Sequence, residues 1–397
     1  MDCAILSKKQ LPEVIQLRHQ MHRVPELAYE EFKTAALIRE QLQRLGLEFV
    51  AGVANAPTAT IAHIGSTSKP CIALRADIDA LPITELTRLP YASTHAGRMH
   101  ACGHDGHSAT LLGVAAALKS IEKELPVCVK LFWQPAEEGG AGAKRLIEAG
   151  LLDGRIGPKA LAVFGLHGWP GLPVGKVSTK AGALLAATDN FIVEFIGSGT
   201  HAAYPNLGRD PIVTACEAVL NLQQVVSRDF DPTEPAVVTV GKIHAGTATN
   251  VIPDTAVLEG TVRTLNDVHR TVAREAMERR CTGIAIANGC RINFTWIDGY
   301  PPTINDPRSA DFVAKVARDA LGSDAFIPAT RSSMGGEDFA YYLEKAPGCF
   351  FFVGTCPQDR QQYPPLHSDL YDFTDAALEV GMRMFLEIVR SFKEPSS

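Results

Sequence analysis

Apolar residues recur along this chain in two rhythms. Near the N-terminus the spacing is helical. A first helix is expected from about Leu11 to Met21, stopped near Pro25. A second is expected from about Tyr29 to Leu45, with Phe32, Ala36, Leu37 and Leu42 mostly along one side and Gly46 ending it. Apolar runs at Thr58–Ile64, Cys71–Arg75, Val127–Trp133 and Ala160–Leu166 read as strands, and the segments His107–Leu118 and Ala141–Ala149 read as helices. Strands alternating with helices predict an α/β domain on a mixed, mostly parallel sheet.

From about Thr188 the order changes. A strand (Asn190–Ile196), a helix (Pro211–Val226), two strands (Ala236–His244 and Thr255–Leu265), a helix (Asp267–Ala287) and a strand (Arg291–Ile297) spell β-α-β-β-α-β, the split ferredoxin-like motif. After Asp298 the α/β character returns. The expected organisation is therefore a catalytic domain at 1–184 plus 299–397, interrupted by a satellite domain at 185–298 that could serve for dimerisation or as a lid. The last residues, Lys393–Ser397, are expected to fray.

Composition narrows the function classes. The 397 residues are 46% hydrophobic and 21% charged, which fits a globular protein of two or three domains. A net charge of −6 implies no basic face, so nucleic acid is not an expected partner. No apolar run is long enough to span a bilayer, and the N-terminus lacks the charge-then-apolar order of a signal peptide, so neither a membrane partner nor export is expected. Nine cysteines without scaffold-like spacing suit a reducing compartment, and the expected location is the cytoplasm.

The candidate chemistry lies in short clusters. Met99-His-Ala-Cys-Gly-His-Asp-Gly-His107 places Cys102 and His104 two apart, where an extended backbone would aim thiolate and imidazole to one side. Gln134-Pro-Ala-Glu-Glu-Gly-Gly140 follows a strand, and its adjacent carboxylates suit two jobs, metal binding and proton transfer. His167 closes an apolar strand, and His367 sits in a Pro-rich loop. Each alone reads more simply as a loop or cap residue, but Cys102, His104, one of Glu137 and Glu138, His167 and His367 together offer five ligand groups. Two divalent ions sharing a bridging ligand need about that many. Asp77 and Asp79 end a strand and could orient ligands, and His201, in a Gly-rich turn of the satellite, could steady an oxyanion.

Taken together, RADIDALP, MHACGHDGH, QPAEEGGAGA, GLHG, GSGTHAAYP, GTATNVIPD, GTVRTL and GGEDFA stand in an order that resembles the dinuclear metallopeptidase family of aminoacylases and carboxypeptidases. Specifically, the chain resembles its amidohydrolase branch, which includes hippurate hydrolase and the indole-3-acetyl-amino-acid hydrolases. The resemblance implies that Cys102, His104, Glu138, His167 and His367 hold two divalent ions, with Cys102 in the bridging region. It implies Glu137 as the general base, Asp79 as the acid that orients the centre, and His201 as the residue that polarises the scissile carbonyl. Asn250 and Arg263 resemble substrate-binding positions, and Asp77 stands where the wider family has a metal-binding histidine. The implied activity is hydrolysis of N-acyl amino acids, small molecules of the hippurate, N-acetyl or aryl-acyl kind, with a dipeptidase, a carboxypeptidase or a non-catalytic binder as alternatives. A Cys/His/Glu set accepts Zn, Mn, Co or Ni. A homodimer or homotetramer is also implied.

Overall fold

The computed structural model describes residues 1–53 and 55–394, so positions 395–397 of the tail expected to fray lie outside the described residues. The chain divides into two compact units, Met1–Leu184 with Ile304–Thr330 and Asp338–Ser397, and Leu185–Thr303 with Arg331–Glu337.

In chain order, the first unit opens with α1 (Cys3–Arg23), α2 (Phe32–Arg44), β1 (Phe49–Val53), β2 (Ala56–Ile64) and β3 (Cys71–Asp77). It continues with α3 (His104–Ser120), β4 (Cys128–Gln134), α4 (Gly142–Ala149), β5 (Ala160–Pro173) and β6 (Val177–Ser178). The second unit holds β7 (Ala187–Ile196), α5 (Pro211–Gln224), β8 (Val237–Ala245), β9 (Thr255–Thr264), α6 (Asp267–Ala287) and β10 (Arg291–Ile297). The chain then returns to the first unit with α7 (Pro307–Leu321), β11 (Gly348–Cys356) and α8 (Ala376–Ser391).

The first unit is built on a seven-stranded sheet in the order β1-β2-β4-β3-β5-β11-β6. Its centre is parallel: β3 pairs in parallel with β4 and β5, and β5 with β11. Antiparallel pairs close both flanks. β3, β4 and β11 are buried at every position, as strands covered on both faces must be. The apolar core joins Leu74, Leu131, Phe164 and Phe351 of the strands to Val14, Met21, Leu112, Met382 and Phe385 of α1, α3 and α8. These helices approach so closely at Gly113 that a Cβ there would lie 2.3 Å from the Met382 sulfur and 2.6 Å from a Val14 methyl.

α1 starts eight residues before the expected Leu11, because Asp2 caps it by accepting from the Ala4 and Ile5 N–H groups at 3.1 Å. Pro12 lies inside this helix, but on its exposed face, where the ladder bond it removes is lost on the solvent side.

In the second unit, the four strands are antiparallel in the order β8-β9-β7-β10, and α5 and α6 pack on the sheet through Phe191, Val193, Phe195, Leu222, Leu258 and Met277. This is the ferredoxin-like arrangement, inserted into an α/β unit. A small ribbon, Thr200–His201 against Val251–Ile252, projects from it.

Candidate metal centre

Five segments of the first unit meet at the carboxyl ends of the parallel strands, the usual place for a ligand on such a sheet. β3 runs into Asp77 and Asp79, and β4 into Glu137 and Glu138. β5 carries His167 near its middle, two residues past the end of its pairing with β3 and opposite Phe352 of β11, and the loop after β11 carries His367. α3 begins at His104 itself.

Cys102 and His104 do converge, though by a different route from the extended backbone expected. Gly103 between them is left-handed at φ +84°, and His104 is already helical. A Cβ on Gly103 would also meet the Phe373 ring at 2.9 Å. The turn therefore needs glycine for both its angle and its space.

Three donor groups interlock here, each with ligand atoms within 4.8 Å of one another: Cys102, His104 and His167; Cys102, Glu138 and His367; and His104, Glu137 and Glu138. The two buried histidines are set in the tautomer a metal needs. His104 Nδ1 donates to Asp79 Oδ1 at 3.2 Å, and His167 Nδ1 donates to the Gly168 carbonyl at 2.7 Å. Both leave the Nε2 lone pair facing the centre. His167 Nε2 lies 3.3 Å from the Cys102 sulfur. His104 Nε2 is buried without a hydrogen-bond partner, its nearest carboxylates at 3.7 Å (Asp77) and 4.0 Å (Glu138). A polar atom orphaned among acids is what a cation site presents when read from the protein alone. His367 is held by its own N–H to the Ala101 carbonyl at 2.9 Å, in left-handed backbone at φ +65°, and reaches Glu138 Oε1 at 3.2 Å.

The electrostatics agree. Burial opposes charge on His104, but Asp77, Asp79 and Glu138 together lift its pKa to about 10. Burial first, then the charges of Glu138, Glu137 and Asp77, hold the Cys102 thiol well above its usual value. Both protons are ones a divalent ion would displace.

Asp79 does two things at once. Besides orienting His104, its other oxygen accepts from the Glu138 N–H at 2.9 Å.

A model of the peptidase family M20/M25/M40 matches residues 73–391, the stretch that contains every one of these segments. The chain belongs to that family.

Among its relatives is N-acetyl-L-cysteine deacetylase of Bacillus subtilis, 46% identical over 86% of this chain and 80% of the relative. Another is IAA-amino acid hydrolase ILR1-like 4 of Arabidopsis thaliana, 38% identical over 93% of this chain and 83% of the relative. The crystal structure of the Bacillus subtilis YXEP protein, described as a dinuclear metal binding peptidase from the M20 family, superposes with a TM-score of 0.84 at 37% identity. That match covers 97% of this chain and 99% of that one.

In this M20-family chain the remaining candidates fall in the second unit. His201 is exposed, and its Nδ1 accepts from the Ala203 N–H at 3.1 Å, which leaves an Nε2–H free to donate. Asn250 is its neighbour across the ribbon, its carbonyl accepting from the Ala202 N–H at 3.0 Å. Arg263 does not join this pair. It lies near the far end of β9, opposite Thr188 and Val237, while the ribbon springs from the other end, about 25 Å away at strand rise.

Several residues that shape the centre carried no assigned role in the sequence reading. His107 is one. Its Nδ1 lies 2.6 Å from Asp77 Oδ1, and its Nε2 accepts from the Gly168 N–H at 2.8 Å, so both nitrogens are taken. Arg75 holds the other Asp77 oxygen at 2.5 Å. The trio Asp77, His104 and His107 is close enough to suggest a further metal site, but these bonds leave it a strut that ties the end of β3 to the middle of β5. Arg75 also bonds Gln134 at 2.9 Å and Asp338 at 3.1 Å, and Asp338 accepts from the Ala143 N–H at 2.9 Å beyond the glutamate loop. The signal was present in RADIDALP and GGEDFA, but spacing alone does not reveal that they touch.

Proposed function

We propose that the chain is a metal-dependent amidohydrolase that cleaves N-acyl amino acids to a carboxylic acid and a free amino acid. The observation that carries this reading is the convergence of Cys102, His104, Glu138, His167 and His367 beside the second carboxylate of Glu137. Two divalent ions fit the donor set, since both buried imidazoles turn Nε2 to the centre, that of His104 without a hydrogen-bond partner and that of His167 beside the Cys102 sulfur. Such ions acidify water and polarise a carbonyl oxygen.

The protein's own part is proton handling and orientation. Glu137, buried and adjacent to a ligand, takes the proton of the attacking water on a carboxylate oxygen and returns it to the leaving nitrogen. Asp79 keeps His104 in its tautomer and holds the Glu138 backbone. For His201 the role proposed is donation from its free Nε2–H to the substrate carbonyl oxygen, with its ribbon neighbour Asn250 as a substrate contact. The deacetylase and IAA-amino acid hydrolase relatives support acetyl and aryl-acyl amino acids as the substrate class.

The expected assembly is a homodimer or homotetramer. It is supported by β8, an edge strand of the satellite sheet, where Ile243 is 50% exposed, and by Leu220 of α5 at 74%. Among the described residues no helix is long and apolar enough to cross a membrane, and all nine cysteines are free. The latter supports a reducing, cytoplasmic setting.

The test is elemental analysis alongside hydrolysis of N-acetyl, N-benzoyl and N-indoleacetyl amino acids by the wild type and Glu137→Gln. About two metal ions in both proteins, with turnover lost roughly 10²-fold or more only in the variant, is the expected result. A variant that keeps its turnover removes Glu137 as base, and no metal after reconstitution removes the class.

A further inference from the structure

The loop that carries Glu137 and Glu138 is anchored to a segment that the proposed reaction leaves unused, the turn Tyr29–Glu31 between α1 and α2. Glu31 is fully buried. One of its carboxylate oxygens accepts from the N–H groups of Tyr29 and Ala136, both at 2.9 Å, and the other accepts from the Thr58 hydroxyl at 2.7 Å. All three partners are donors, so the carboxylate serves purely as an acceptor.

Ala136 immediately precedes Glu137 and has left-handed backbone at φ +55°, a conformation that a non-glycine residue keeps only when its surroundings impose it. The other side of the loop is held by the same turn. The Tyr29 hydroxyl donates to the Gly140 carbonyl at 2.6 Å, and the Arg145 guanidinium lies 3.8 Å over the Tyr29 ring. Between these points the Gly142 N–H closes the loop on the Ala136 carbonyl at 3.1 Å.

We propose that Glu31 and Tyr29 are positioning residues, a two-point clamp on Ala136 and Gly140 that sets the Glu137 carboxylate for proton transfer. The proposal rests on the reading of Glu137 as the base. Proton transfer demands heavy-atom approach of about 2.6–3.2 Å, and a displacement of about 1 Å can cost about 10²-fold in rate. The Glu137 backbone has Ala136 on one side and the Asp79-bound Glu138 N–H on the other, so losing the Glu31 bond loosens its Ala136 side.

The variants separate the clamp from mere burial of a charge. Glu31→Ala removes the acceptor for Ala136. Glu31→Gln keeps a carbonyl oxygen for both N–H groups, while the Thr58 hydroxyl turns from donor to acceptor for the new amide. Tyr29→Phe removes only the Gly140 bond. Each is assayed with its metal content measured, on an N-acetyl amino acid, and by hydrogen exchange of the 136–142 amides. In Glu31→Ala, kcat should fall about 10²-fold with KM within a few-fold and metal retained, and the loop amides should exchange faster. Glu31→Gln should stay within a few-fold of wild type on every readout, and Tyr29→Phe should lose about 3- to 10-fold in kcat.

An unchanged kcat in Glu31→Ala overturns the proposal. So does equal impairment in Glu31→Ala and Glu31→Gln, or a loss of turnover that merely follows loss of metal. Should Glu31→Ala not fold, an unchanged kcat in Tyr29→Phe overturns it instead. Retained turnover in Glu137→Gln would strike the base assignment, whereas the exchange contrast between the two Glu31 variants still judges the clamp itself.

Discussion

Replacing His22 by Gln takes one positive charge out of a buried cluster, and the cost should depend on pH in a direction set by geometry. The imidazole lies between two carboxylates, with Nδ1 2.8 Å from Asp105 and Nε2 3.3 Å from Glu85. Carboxylates accept, so both ring nitrogens donate and the ring is an imidazolium. Burial opposes that charge, but the Asp105 charge and the two hydrogen bonds outweigh both burial and the neighbouring Arg18, and they lift the pKa from 6.5 to about 9.

The folded protein then holds this proton more tightly than the unfolded chain does. The stabilisation is fully present below the unfolded value of 6.5 and is lost as pH rises through about 9. A rise of that size corresponds to about 3 kcal/mol. The His22 and Asp105 side chains are fully buried, so solvent screening takes little away. Urea unfolding of both proteins, followed from about pH 6 to about pH 10, should show the gap between them shrink by about 3 kcal/mol, with most of the fall above about pH 7.5. A gap that stays constant or widens with pH would refute the imidazolium assignment.

The remaining predictions concern the centre and the satellite. Because the Cys102 thiol is held well above its usual pKa without a cation, metal uptake near neutral pH should release protons, measured in weakly buffered titrations, and Cys102→Ser should weaken retention about 10-fold or more. Uptake with no proton release would contradict a thiolate ligand. Gly106→Ala would ordinarily favour a helix, yet its Cβ would sit 2.2 Å from the Phe373 ring. The net expectation is a loss of about 1–3 kcal/mol, seen as a lower Tm, and a Tm that rises would show that the ring can yield. Leu220→Glu combined with Ile243→Lys should dissociate the proposed dimer in sedimentation. An unchanged mass would move the interface elsewhere.

Another buried cluster links to the same neighbourhood. Arg18 is fully buried and bonds Asp105 at 2.9 Å, Asp372, and Asp375 at 2.7 Å. It thereby ties the first turn of α3, which begins at His104, to the segment that follows His367. A charge desolvated this completely persists only because its partners surround it.

Much of this protein is legible without coordinates. Hydrophobic rhythm alone located the satellite motif, because alternation along β10 and helical spacing along α6 are local properties: both elements begin and end where the pattern places them. The ligand types were legible too, since a thiol, three imidazoles and a carboxylate pair recur in short motifs. What sequence could not supply was direction and contact. The Gly103 turn, the orphaned Nε2 of His104 and the tautomers set by Asp79 and the Gly168 carbonyl depend on backbone angles and on residues far apart in the chain. His107 closes the same short motif as His104, and it is its bonds to Asp77 and Gly168 that make it a strut. Residue type and periodicity are written locally, so the sequence determined the elements and the chemistry on offer. Which lone pair faces the centre, and what holds Glu137 in place, follow from packing across the sheet, and only the tertiary structure decided them.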